Sequence, residues 1–102
     1  MLNINSFDIM RILGYINHPQ YKITVFKMDN RVTLKLENEG YEQSYKLGDQ
    51  EHLNSLEKIK VLVDDHFLHQ AAVVFQAMHQ NIMSASARNA AETTENRFPE
   101  II

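Results

Sequence analysis

Asp64-Asp65-His66-Phe67-Leu68-His69 is the run in this chain whose residue types suit metal binding. Asp65 and His69 stand four apart, and His66 and His69 three apart. Both spacings put ligands on one face of a helix. His79 follows ten residues after His69, near the angular position of Asp65. Two such helices in a dimer can supply four ligands. The same spacing also arises when two carboxylates are solvated and the histidines edge an interface, so Asp65, His66, His69 and His79 stay candidates and no metal is assigned.

Other chemistry has less support. Ser6, Ser44, Ser55, Ser84 and Ser86 lie outside any glycine-rich turn, and nucleophilic catalysis needs a base and an orienting group beside the hydroxyl. Gly14, Gly40 and Gly48 are the only glycines and match neither dinucleotide-binding nor P-loop spacing. No cysteine is present, which excludes disulfides, thiolate metal sites and a cysteine nucleophile. The expectation is a protein that is not an enzyme and holds no cofactor.

A third chemistry needs a sheet. Residues 21–28, 31–38 and 41–47 alternate apolar and polar and read as an antiparallel meander. Asp29-Asn30 and Glu39-Gly40 provide two-residue turns. That register puts Tyr21, Ile23, Val25, Val32, Leu34, Leu36, Tyr41, Tyr45 and Leu47 on one face, with Glu37 beside Glu42 on the other. The wet face also carries Lys22, Phe26, Arg31, Lys35 and Lys46. Basic residues around an aromatic can neutralise and stack single-stranded nucleic acid. Glu37 and Glu42 oppose this, so nucleic acid is the alternative partner rather than the expected one.

Helices must cover the apolar face. Residues 7–16 show Ile9, Ile12, Leu13 and Ile16 at i, i+3, i+4 and i+7, behind Ser6 as cap and Asp8 in the first turn. They read as a short helix stopped by Asn17-His18-Pro19. No Gly or Pro falls between Asp49 and Phe98, and helical spacing runs from about Gln50 to Arg88. A continuous helix there, capped by Asp49, would be about 58 Å long. A compact chain of this length has a radius of gyration of only about 13 Å. Leu56, Ile59, Val63, Phe67, Val74 and Met78 form the stripe expected on the sheet. Val61, Leu68, Ala72 and Phe75 form a second stripe nearly opposite, which a three-stranded sheet cannot also cover. A second copy of the helix is the economical cover, so those four residues are the expected dimer contact.

The helix–three-strand–helix order resembles the double-stranded-RNA-binding domain in topology. That family carries a lysine-rich turn at its second helix, where this chain reads Gln50-Glu51-His52-Leu53, so the resemblance transfers no binding residue. The order also looks like that of small acidic dimeric chaperones of secretion systems, whose later strands have no counterpart after Met78. Both are fold-level analogies.

Charge and composition bound the rest. The chain has 102 residues, 44% hydrophobic and 23% charged, with net charge −3. These values describe an ordinary soluble domain. Beyond Lys60 only Arg88 and Arg97 face Asp64, Asp65, Glu92, Glu95 and Glu100, which disfavours contact with phosphates. Met1 to Ser6 does not read as a signal peptide, and no apolar run approaches a membrane span. The expected protein is therefore an α+β domain over residues 1–88, with a short N-terminal helix, three strands and a long helix in two layers. Residues 89–102 follow as a flexible tail whose end, Phe98-Pro99-Glu100-Ile101-Ile102, is apolar again. The expected function is a cytoplasmic, homodimeric protein-interaction module.

Overall fold

The computed structural model describes residues 10–101, with side-chain burial given for residues 10–90. Four strands form one antiparallel meander: β1 (Met10–Ile16), β2 (Lys22–Met28), β3 (Arg31–Asn38) and β4 (Tyr41–Gly48), in the order β1-β2-β3-β4. A 3-10 turn (Glu51–Leu53) leads to α1 (Leu56–Leu62) and then to α2 (Asp65–Ile101). The class is α+β, as expected, but the sheet has four strands rather than three.

The extra strand replaces the short N-terminal helix. Ser6, Asp8 and Ile9 lie outside the described residues, but Met10–Ile16 is β1, paired antiparallel with β2. A bulge explains why its pattern imitates a helix. The register slips between Ile12 and Gly14, so one additional residue enters the strand. Leu13 and Ile16, three apart, consequently both pack against the core, while Ile12 and Tyr15 are exposed. Gly14 lies at the bulge where α1 comes closest. A β-carbon there would sit 2.5 Å from Cδ2 of Leu56.

The three expected strands appear within one residue of their expected limits. Asp29 (φ 53°) and Asn30 (φ 65°) turn the β2–β3 hairpin in the left-handed region that such two-residue turns require. Glu39 takes φ 55° in the β3–β4 turn, where Asn38 pairs with Tyr41. Tyr21, Ile23, Val25, Val32, Leu34 and Leu36 are buried on one face with Ile59, Val63, Ala71 and Phe75 of the helices. The first described element is thus a strand, where both topological resemblances expect a helix.

The long helix is not continuous from Gln50. Ser55 caps α1, its Oγ accepting from the Lys58 amide at 3.3 Å. The chain leaves helical geometry at Val63 (φ −87°, ψ 74°). Asp64 then caps α2, its Oδ1 accepting from the Phe67 amide at 2.9 Å. Asp49 caps neither helix. Leu56, Ile59, Val63, Phe67 and Met78 still pack on the core across the break, and within α2 the core row runs through Ala71 and Phe75, which turns Val74 outward. Val74, expected on the sheet, is 42% exposed. Phe75, expected at a dimer contact, is 5% exposed and belongs to the core.

Candidate interaction surfaces

Helix α2 runs antiparallel to β4, and three side-chain contacts fix it there. The rings of Phe67 and Tyr45 lie 5.2 Å apart. One turn on, Nε2 of buried Gln43 donates to the Ala71 carbonyl at 2.8 Å. Two turns further, the Tyr41 hydroxyl and Nδ1 of His79 are 2.8 Å apart. Phe75 lies between these anchors, its ring 5.2 Å from Tyr21, which stacks in turn on His18 at 4.5 Å. Nδ1 of His18 accepts from the amides of Gln20 and Tyr21, both at 3.1 Å, which leaves its ring proton on Nε2.

Gln43 carries the polar part of this joint. Its Oε1 accepts from the Tyr45 hydroxyl while its amide reaches the helix, so both ends of a buried side chain are satisfied. Burial pushes the Tyr45 phenol above its ordinary value of 10.0. Sequence reasoning missed Gln43. Its place between Tyr41 and Tyr45, two residues from each, was the available signal, because side chains two apart share a face.

After His79 the helix leaves the sheet. A groove of about 380 Å³ marks the departure, lined in part by Asn38, Glu39, Tyr41, Phe75 and His79. From residue 80 to Ile101 the backbone continues helical for about 33 Å. This span includes the expected tail from residue 89 and most of its apolar end; the side chains beyond Ala90 and the whole of Ile102 lie outside the described set. The core-facing row Ala71, Phe75 and Met78 continues into Ile82, but no sheet lies beneath it. Ile82 is 51% exposed and Met83 55%. The radius of gyration, 19.8 Å, exceeds the roughly 13 Å of a compact chain this long because of this overhang.

The four residues expected to form one dimer stripe are scattered by the fold. Phe75 is buried, Leu68 is half-buried against the core, Ala72 is exposed, and Val61, on α1, is 78% exposed. The metal candidates are also dispersed. Asp65, His66 and His69 are exposed in the first turns of α2, and His79 is held by Tyr41. Among the described residues no three His, Asp or Glu side chains come together as a metal-binding group.

The face of the sheet away from the helices holds the expected wet residues in four cross-strand rows. Met10, Met28 and Arg31 form the first row, and Ile12, Phe26, Thr33 and Lys46 the second. Tyr15, Thr24, Lys35 and Ser44 form the third, and Lys22, Glu37 and Glu42 the fourth. Lys22, Phe26, Arg31, Lys35 and Lys46 therefore do share a face. Glu37 sits between Lys22 and Glu42, so the basic residues form no unbroken track. The β1 side of this face is instead apolar: Met10, Ile12, Tyr15 and Met28 are 39–56% exposed.

No described helix is long and apolar enough to cross a membrane. Comparison with protein-family models, with curated proteins and with solved structures finds no match for this chain.

Proposed function

We propose that this protein is a non-enzymatic self-association module, and that the overhanging half of α2 is a surface through which two copies meet. The observation that carries the reading is the exposure of Ile82 and Met83 on a helix that has already left its own sheet. An isolated helical segment of this length is marginal in water, so a segment without tertiary support gains most from a neighbour. Burial of each large apolar side chain is worth about 1.5–3 kcal/mol. Antiparallel pairing of two identical overhangs presents the same residues from both sides, which suits a closed two-fold contact.

The polar groups nearest the helix support assembly rather than catalysis. Gln43, Tyr41 and His79 are engaged in bonds that fix α2 to the sheet, and Tyr45 bonds Gln43 within β4. The contact residues differ from the stripe expected from periodicity, because Phe75 serves the core. A cytoplasmic setting, on the cysteine-free sequence, belongs to the same proposal.

Sedimentation equilibrium of wild type and of Ile82→Glu/Met83→Glu tests it. Both positions are about half exposed, so the subunit should fold normally. The reading predicts that the variant has a lower mass than the wild type. An unchanged mass would remove the overhang from the interface.

A further inference from the structure

We propose that the open face of the sheet is a second self-association surface, on which another copy of this chain packs face to face with its strands reversed. This inference stands on the sheet alone and does not depend on the pairing of the α2 overhangs.

The first observation is apolar exposure in the wrong place for a solvated sheet. Met10 pairs with Met28 and Ile12 with Phe26, with Tyr15 in the next row. Tyr15 is 56% exposed, Met10 48% and Ile12 44%, all projecting away from the helices. Contiguous apolar surface of this kind marks a contact more often than single exposed residues do.

The second observation is charge. Charge is unevenly spread along the strands. Arg31 and Lys46 stand toward the Asp29-Asn30 turn with no carboxylate beside them, while Glu37 and Glu42 stand toward the Glu39-Gly40 turn in one row with Lys22, next to the row of Lys35. A two-fold axis lying between two sheets, perpendicular to the strands, reverses this direction while keeping each strand over its own copy. The first row then lies over the fourth, and the second over the third. Arg31 meets Glu37 of the second copy, and Lys46 lies near its Glu42. On the other side of the face, Ile12 meets Tyr15 of the second copy. One operation therefore sets Ile12 against Tyr15 and Arg31 against Glu37, while Met28 lies over Lys22 and Met10 extends past the fourth row. Alignment of the strands within about 30° is the ordinary geometry of packed sheets.

The same operation resolves the Glu37–Glu42 juxtaposition. Two carboxylates directly opposite on neighbouring strands are unfavourable in an isolated sheet. Lys22 already stands opposite Glu37 in the same sheet, so Glu42 is the carboxylate that gains a cation, Lys46, from the facing sheet. The occupant is thus identified by complementarity as this chain itself. Reversal of the strands also sends the two α2 overhangs in opposite directions, leaving both free for other copies.

Charge exchange in the full chain provides the test. Sedimentation equilibrium would be run on wild type, Arg31→Glu, Glu37→Arg and the double exchange, with circular dichroism confirming the fold of each. Each single exchange sets like charges together twice across the two-fold and should weaken this association on the order of 100-fold, lowering the average mass at concentrations near the dissociation constant. The double exchange restores opposite signs and should return the wild-type mass. Unchanged mass in both single variants, or failure of the double exchange to recover, would overturn the assignment. So would salt-sensitive retention of a single-stranded oligonucleotide that Arg31→Glu abolishes without altering mass, since the face would then belong to nucleic acid. Ile82→Glu/Met83→Glu leaves these residues untouched, so the two surfaces fail separately.

Discussion

The two halves of α2 contain similar apolar residues in different circumstances. Before residue 80, Ala71 and Phe75 are 1% and 5% exposed, closed over by Tyr21 and the sheet. After it, Ile82 and Met83 remain more than half exposed on the same continuous helix. Ala71 and Phe75 in the first half belong to the subunit's own core, while Val73 and Val74 on its outer side are 52% and 42% exposed. The second half carries its exposed apolar residues beyond the end of the described sheet. Helical periodicity alone does not separate these situations; the length of the sheet does.

Truncation on either side of that boundary should have very different costs. Phe75→Ala should lower unfolding free energy by about 3–5 kcal/mol, enough to unfold most of a marginal domain. Ile82→Ala should change subunit stability by less than about 0.5 kcal/mol, because Ile82 is 51% exposed and outside the buried core. Urea unfolding at concentrations low enough to dissociate any assembly would measure both. Comparable losses at the two positions would erase the distinction.

An intermediate effect is expected at the joint itself. Gln43→Ala removes the partner of the Tyr45 hydroxyl and the side-chain donor to the Ala71 carbonyl. The cost should be about 1–3 kcal/mol, set by the polar atoms left without their bonds. The same unfolding titration reads it. A neutral result would mean that water replaces the amide and that the joint contributes little to holding the anchored half of α2.

The legibility of this chain in its sequence divides along similar lines. The β2–β3–β4 meander was readable because alternation and two-residue turns constrain each other. A shift of one residue would have turned Glu42, Ser44 and Lys46 inward. The opposition of Glu37 and Glu42 followed from the same register and is present. Strand β1 was not readable, because the bulge between Ile12 and Gly14 changes side-chain parity and produces the three-residue step of a helix. The position of Gly14 was the contrary signal, since glycine costs about 1 kcal/mol inside a helix.

The interruption before α2, an open alternative near Asp64-Asp65 in the sequence, could not be decided there for a different reason. Asp64 is a good cap, but neither Gly nor Pro punctuates the run. Its effect was large: Val61 and Leu68, aligned by counting, are placed on different helices. The wet-face residues Lys22, Phe26, Arg31, Lys35 and Lys46 were placed correctly as a set. Their apolar neighbours on β1 could not be recognised while that segment read as a helix. The Tyr41–His79 and Gln43–Ala71 bonds span 38 and 28 residues and required the tertiary fold.

Amide hydrogen exchange across α2, measured over a range of protein concentrations, tests the central claim most directly. Covering of the overhang by another copy predicts that amides of residues 80–90 are protected at high concentration and lose that protection on dilution, while those of residues 68–79 keep theirs. Rapid exchange throughout residues 80–90 at every concentration, or protection there that dilution does not change, would contradict it.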